Sequence, residues 1–171
     1  MEQKKKIVGL DEFFSNLSNL SKEDFTYLKR NYNKSFYDLN NRVLISFYKV
    51  LPLQIKYKEY IWFFCATLFC YQDGNGNISL AECVKKVNDE NIKIKFNNIL
   101  KETLDSDSLM LYKLGQLVRL LNQNGYKINI KLLLSDLLFW NSDSSFIQKK
   151  WAKEVYSKPI IIEKEGENEN E

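Results

Sequence analysis

The sequence contains no histidine, which removes the side chain that most often serves as a general base or as a transition-metal ligand. Its 171 residues include only six glycines and two prolines, which argues against a β-rich fold with many tight turns. Hydrophobic residues make up 44% of the chain and can fill a core. We therefore expect a mostly helical protein of one domain, or of two small subdomains that share a core, and composition gives an enzyme little support.

Cysteine is scarce, and no hydrophobic run is long. Cys65, Cys70 and Cys83 are an odd number of cysteines without zinc-like spacing, and we interpret them as reduced, structural thiols. The longest nearly apolar run, residues 60–71, would span about 18 Å as a helix, well short of the roughly 30 Å hydrocarbon core of a bilayer. No signal peptide is evident at the N-terminus. We expect a cytoplasmic protein with no membrane span.

Charge is unevenly distributed along the chain. Residues 163–171 contain five glutamates and one lysine, so the remainder has a net charge of +7, although the whole chain has +3. We predict a basic N-terminal arm (1–9), a helical domain (10–157) and a disordered acidic tail (158–171). The basic body suggests contact with polyanions. Because lysine outnumbers arginine by 22 to 3, compositional bias is an equally good explanation.

Apolar spacing predicts eight or nine short helices and no strand. Ser21 with Asp24 and Ser79 with Glu82 have the form of capping boxes, which mark helix starts. Gly125 is well placed to follow the end of a helix. The predicted fold is all-α, a compact bundle of eight or nine short helices, with two sub-bundles as an alternative arrangement.

Residues 71–82, YQDGNGNISLAE, begin like the calcium-binding loop of an EF-hand. If Asp73 is the first ligand, the position that needs glycine is Ile78, and the position that needs a bidentate glutamate is Val84. We therefore reject a calcium site. The glycines and asparagines instead predict a mobile surface turn before a helix capped by Ser79.

Several charged residues adjoin predicted apolar stripes. Arg119 is one of three arginines, and an arginine retained in a lysine-rich chain suggests phosphate contact or a buried ion pair. Lys149 and Lys150 precede a tryptophan, and the simpler interpretation there is a solvated helix face with a Lys150–Glu154 pair. Asp136, between leucines, is interpreted as the polar edge of a helix rather than as a catalytic acid. Taken singly, each basic patch favours solvation over a site.

The order of seven segments makes a family resemblance specific. The chain contains, in order, LSKEDFTYLKRNYNKSF, FYKVLP, WFFCATLFC, ISLAECVKKV, KFNNILKE, LGQLVRLLNQNGYKINIKLLLSDLLFW and IQKKWAKEVY. These resemble successive blocks of the small subunit of the type I-E CRISPR Cascade complex, the CasB family. Each block alone is merely rich in apolar residues, but together they cover about residues 10–157.

The resemblance implies an all-helical, non-enzymatic subunit without cofactor or metal, which acts in antiviral defence. It implies as partners CRISPR RNA and target DNA, the backbone and large subunits of Cascade, and a second copy of the chain. The nucleic-acid contacts that it implies are Lys29, Arg30, Lys95, Arg119, Lys149 and Lys150, with Lys56 and Lys58 as weaker candidates. Lysine replaces the family's arginine at several of the basic positions, which keeps the charge but loses bidentate geometry. The rival hypothesis is a helical protein–protein adaptor whose charges serve only solubility.

Overall fold

A computed structural model of the protein describes residues 7–106 and 109–159. The lysines of the predicted basic arm and the predicted acidic tail from residue 160 onward lie outside these residues. The described part contains nine α-helices, α1 (Leu10–Ser18), α2 (Lys22–Arg30), α3 (Asn41–Tyr48), α4 (Glu59–Tyr71), α5 (Leu80–Val87), α6 (Glu90–Leu100), α7 (Met110–Gln123), α8 (Ile130–Leu138) and α9 (Phe146–Tyr156). A 3₁₀ turn at Phe36–Asp38 lies between α2 and α3. The prediction of an all-α fold with eight or nine helices is confirmed.

Short polar side chains begin the helices at the places that the sequence marks. The oxygens of Ser21, Ser79 and Asn129 each accept a hydrogen bond from a backbone amide three residues later. These bonds satisfy amides that have no partner inside the helix. At the other end of α7, Gly125 adopts a positive φ of 86° and lies just beyond the last turn, as its sequence position predicts.

Helix α4 is the centre of the fold. Its residues 61–70 are all buried, which explains why the run is apolar on every side. It packs against α2 and α8, and Phe13 of α1 meets Trp62 edge-on, with ring centroids 4.9 Å apart. The run that is too short for a membrane is therefore the buried core helix that the sequence predicts.

The helices form two packing groups around one core. In the first group α4 packs against α2 and α8, and α2 packs against α3. In the second group α5 packs against α6, α7 and α9, and α6 packs against α7. Trp151 of α9 packs inside this second group, because its ring lies near both Phe96 and Trp140, at centroid distances of 6.1 and 5.0 Å. The buried side chains of both groups form a single continuous cluster. The sub-bundles therefore share their interior.

The segment 71–82 has fixed hydrogen-bond partners, which the predicted mobile turn does not anticipate. Ile78 and Ile128 form an isolated parallel bridge, and Gly76 N donates to Ile128 O at 2.9 Å. The buried Gln72 also donates to Ile128 O, at 2.7 Å. A Cβ at Gly76 would lie 1.9 Å from Lys127 O, so only glycine permits this approach. The segment therefore serves as a joint with the loop before α8.

Candidate nucleic-acid interface

Lys29 and Arg30 lie in the last turn of α2. Lys29 Nζ lies 2.9 Å from the Asp73 carboxylate, at the end of α4. Arg30 is exposed and has no ion-pair partner in the described part of the chain. A cation at a helix C-terminus is favoured by the helix dipole even without such a partner. Arg30 is therefore free to contact a phosphate, whereas Lys29 is engaged with a carboxylate.

Arg119 lies on the exposed side of α7, close to the end of α2. Tyr32, in the segment that follows α2, contacts α7 and α4, since its hydroxyl donates to Gly115 O and its ring stacks on Tyr71 with centroids 4.1 Å apart. Burial raises the pKa of Tyr32 well above its usual range, Tyr71 raises it further, and the charge of Arg119 acts in the opposite direction. Arg119 is thus a near neighbour of the α2–α7 contact, and no described side chain forms an ion pair with it.

Lys149 and Lys150 differ in their environment on α9. Lys149 is exposed, and its ammonium group has no partner among the described residues. Lys150 Nζ lies 2.6 Å from Asp136, a carboxylate with only 13% of its side chain exposed. Trp151 Nε1 donates to the other oxygen of Asp136 at 2.7 Å. Asp136 is therefore a polar link between α8 and α9, rather than the polar edge of a helix that the sequence suggests.

The predicted Lys150–Glu154 pair is wrong. Glu154 instead accepts a hydrogen bond of 2.5 Å from the Ser79 hydroxyl, which also caps α5. Lys150 and Glu154 therefore each pair with a residue outside α9, Asp136 and Ser79 respectively. The spacing within α9 allows the pair, but Ser79 at the start of α5 and Asp136 of α8 offer partners in a less exposed setting.

Lys95, Lys56 and Lys58 lie on elements other than α2 and α7. Lys95 is exposed on α6 and, within the described ranges, has no side-chain partner. Lys56 is likewise exposed, in the loop before α4. Lys58 donates to Leu138 O at 3.0 Å, and its ammonium lies 5.8 Å from the centroid of the Tyr57 ring. Lys58 thus links the loop before α4 to the end of α8. It has a structural role in addition to being a weaker candidate for nucleic-acid contact.

The six predicted contacts fall into two groups. The first, which we call the α2–α7 cations, comprises Lys29, Arg30 and Arg119, and the second, the α6–α9 cations, comprises Lys95, Lys149 and Lys150. No hydrogen bond, ion pair or ring contact in the described ranges joins one group to the other. The helices that carry the second group meet through the stacked rings of Phe96 and Trp151.

The structure adds one cation that sequence reasoning missed. Lys127 Nζ donates to Asp73 O at 3.1 Å, so it lies beside the same residue as Lys29. The two lysines are far apart in the sequence, and neither adjoins a motif that points to the other. Only the joint between residues 71–82 and the loop before α8 brings them together, so no local signal could have identified Lys127.

The described side chains offer no arrangement typical of a metal site or a reactive thiol. No group of three His, Cys, Asp or Glu residues in residues 7–106 and 109–159 is placed to hold a metal ion. Cys65, Cys70 and Cys83 are free and buried, as expected of structural thiols. Burial raises the pKa of Cys70 and of Cys83 to about 12, so both stay protonated near neutral pH. Among the described helices, none has the length and apolar character that a membrane span requires.

Comparison with known proteins identifies relatives of the same fold. Two crystal structures from Thermus thermophilus, one of a CRISPR-associated protein of the Cse2 family and one of CasB, both give a TM-score of 0.71, at 21% and 20% identity. In each case 86% of this chain and 97% of the other chain are covered. CasB from M. ruber gives a TM-score of 0.66 at 17% identity, over 88% of this chain and 94% of that one. Identities this low show similarity of fold alone.

Family membership rests on the sequence itself. The sequence has no significant match among curated proteins. A family model described as CRISPR-associated protein Cse2, however, matches residues 28–156, well over half of the chain. The resemblance to the CasB family that the seven ordered segments predict is confirmed. This chain therefore belongs to the family of the CRISPR-associated protein Cse2.

Proposed function

We propose that this chain is the non-catalytic small subunit of a CRISPR RNA-guided surveillance complex of the Cascade type. In this role it binds the phosphate backbones of CRISPR RNA and target DNA and stabilises the R-loop in antiviral defence. It acts in the cytoplasm, contacts the backbone and large subunits of the complex, and pairs with a second copy of itself.

The observation that carries the proposal is a set of exposed cations without internal partners. Among the six predicted contacts these are Arg30, Lys95, Arg119 and Lys149, none of which has an ion-pair partner in the described part of the chain. Each keeps its full charge for an external phosphate, and each phosphate that is neutralised releases condensed counterions. Binding of this kind reads no base sequence, which suits a subunit that must accept any guide and any target.

The two paired candidates differ in how readily they can change partners. Asp73, the partner of Lys29, has 63% of its side chain exposed, so water can solvate it when Lys29 turns to a phosphate. Asp136, the partner of Lys150, is mostly buried, and loss of Lys150 would leave its charge poorly compensated. Lys29 is therefore an exchangeable contact, whereas Lys150 is primarily structural.

A specific observation also favours the adaptor hypothesis. Helix α3 and the loop after it expose Ile45, Tyr48 and Leu53, the last to 91%. Ile45 and Tyr48 are neighbours on one face of α3, and exposed apolar side chains that form a contiguous patch are typical of a protein–protein contact. This surface fits the subunit contacts of the proposed complex, but an adaptor without nucleic-acid binding would have it as well.

Affinity purification from the host separates the two hypotheses. A tagged, full-length copy should recover CRISPR RNA together with larger subunits, and nuclease treatment should remove the RNA signal. The purified chain should also bind single- and double-stranded nucleic acid at low salt. Recovery of protein partners without RNA, from a chain that binds no nucleic acid at low salt, would support the adaptor and contradict our proposal.

A further inference from the structure

An open cavity of about 400 Å³ lies next to the segment that follows α2. Its walls come from the chain after α2, the first turns of α4 and the beginning of α7. The aromatic side chains that line it are Phe36, Tyr37, Tyr60, Phe63, Phe64 and Tyr112. The volume falls in the range of sites that bind small molecules or parts of larger ones.

Two of the aromatic residues that line the cavity are largely exposed to solvent. Tyr37 is 61% exposed and Tyr112 is 53% exposed. Tyr37 has one ring neighbour, Phe36, which meets it edge-on at 5.4 Å, and Tyr112 makes no ring contact within the described ranges. Phe36, by contrast, packs against Phe47 and Phe63 and anchors the wall to the core. The cavity thus combines a wall that packs against the core with two solvent-facing tyrosines.

One cation lines this cavity, and a second lies farther along α7. Lys34 lines it, is exposed and has no side-chain partner in the described part of the chain. Arg119 follows Tyr112 by two helical turns on the same face of α7, and both act electrostatically on Tyr32. The opposite side is less suited to an anion, because the carboxylate of Asp105 lies near Tyr60.

We propose that this cavity receives an unstacked base of single-stranded nucleic acid. The base stacks on Tyr37 and Tyr112, and the adjoining phosphates lie toward Lys34 and Arg119. Aromatic rings next to a basic track are the arrangement by which proteins hold single strands without sequence preference. An apolar protein segment would use the rings but would leave both cations without an anion. The inference rests on the proposed function and extends it from phosphates to bases.

The test compares two strands that carry the same phosphates. A labelled oligothymidylate and an abasic oligonucleotide of equal length are titrated with the full-length protein. We expect the wild type to bind the thymidine strand about tenfold more tightly than the abasic one, since stacking is sequence-tolerant but needs a base. The double substitution Tyr37→Ala with Tyr112→Ala should remove this preference and leave the affinity for the abasic strand unchanged.

Two control variants keep the test independent of folding. Tyr112→Phe retains a ring and should retain the preference. Tyr48→Ala with Tyr156→Ala removes two exposed tyrosines outside the cavity and should also retain it. Thermal melts verify that each variant folds. A preference lost equally in this control pair and in the cavity variant would overturn the inference.

Other outcomes have equally definite meanings. Equal binding of the two strands by the wild type would overturn the base site but leave the phosphate contacts standing. Absence of binding to either strand would overturn the proposed function and this inference with it. A cavity variant that keeps the thymidine preference, but no longer recovers a protein subunit from the host, would overturn the inference in favour of a protein contact.

Discussion

The negative charge of Asp24 in α2 is compensated by residues of α3 and of its C-terminal end. Its carboxylate accepts hydrogen bonds from Ser46 Oγ at 2.7 Å and from Lys49 Nζ at 2.8 Å, both beyond α2. It also accepts one from the hydroxyl of Ser21, so the predicted capping box turns its acid toward α3. Burial raises the pKa of Asp24, but the hydrogen bonds from Lys49, Ser46 and Ser21 outweigh it and hold the pKa below its usual value.

Asp24→Asn should lower the free energy of unfolding by about 1–3 kcal/mol at neutral pH, because an amide replaces a charged acceptor in a mostly buried position. A carboxyl with a lowered folded pKa stabilises the protein above its unfolded pKa of roughly 3.9, and that contribution is lost as pH falls through the folded value. Urea unfolding should therefore show a large difference between wild type and variant at neutral pH and a small one in acid. A difference that does not change with pH would contradict the assignment.

At the scale of elements, the joint between residues 71–82 and the loop before α8 holds several parts of the candidate interface. It positions Asp73 between Lys29 and Lys127, and Asn75 accepts a hydrogen bond from the first amide of α8, Ile130 N, at 2.7 Å. Two of the would-be calcium ligands are thus already committed to protein groups. The role of residues 71–82 is therefore to hold the end of α4 against the start of α8, rather than to bind a metal ion.

Gly76→Ala should destabilise the protein by about 1–3 kcal/mol or more, because the new Cβ would meet the backbone of Lys127 and force the two loops apart. The matched control is Asn77→Ala, an exposed neighbour in the same segment, for which we expect a change within about 0.5 kcal/mol. Thermal or urea unfolding measures both. Equal stability of the two variants would mean that the close approach at Gly76 is unimportant.

The helices themselves are predictable from the sequence, whereas their mutual contacts are not. Local chemistry marks the caps at Ser21, Ser79 and Asn129 and the helix end before Gly125, because each depends on residues within one turn. The Lys150–Asp136 pair depends instead on how α9 packs against α8. Local spacing therefore predicts an internal partner for Lys150 that tertiary packing replaces.

The candidate interface was predictable as a set of residues but not as a geometry. Resemblance to the CasB family points to cations one by one, and their identity as surface residues follows from helix periodicity. Which of them are free depends on distant carboxylates such as Asp73 and Asp136. The aromatic cavity could not be predicted from the sequence either, because Tyr37, Tyr60 and Tyr112 come from three separate segments that only the tertiary fold brings together.

At the scale of the whole molecule, charge is divided between a basic body and acidic residues 163–171. Deleting these residues changes the formal net charge from +3 to +7. We expect the shortened protein to bind nucleic acid more tightly at low salt, with a difference that disappears at high salt, because added positive charge attracts polyanions and salt screens it.

The control for this deletion keeps the chain length. Replacing the five glutamates of residues 163–171 with glutamine leaves Lys164 and gives a formal net charge of +8, so its effect in titrations at several salt concentrations should be at least as large as that of the deletion. An effect of the deletion that the glutamine variant lacks would show that charge is not its cause.

The central claim is that this member of the Cse2 family holds nucleic acid through cations that are free of internal partners. The most direct measurement is the salt dependence of single-strand binding for three full-length proteins. These are the wild type, the triple variant Arg30→Ala, Arg119→Ala, Lys149→Ala, and a control with the same change in net charge, Arg42→Ala, Lys86→Ala, Lys131→Ala. The three control cations are each paired with a carboxylate, of Glu23, Glu82 and Asp11 respectively. We expect the slope of log K against log salt, which is negative, to become less negative by about 2 in the first variant, roughly 0.7 for each lost phosphate contact, and to stay near the wild-type value in the control. Equal slopes in all three proteins would contradict the account.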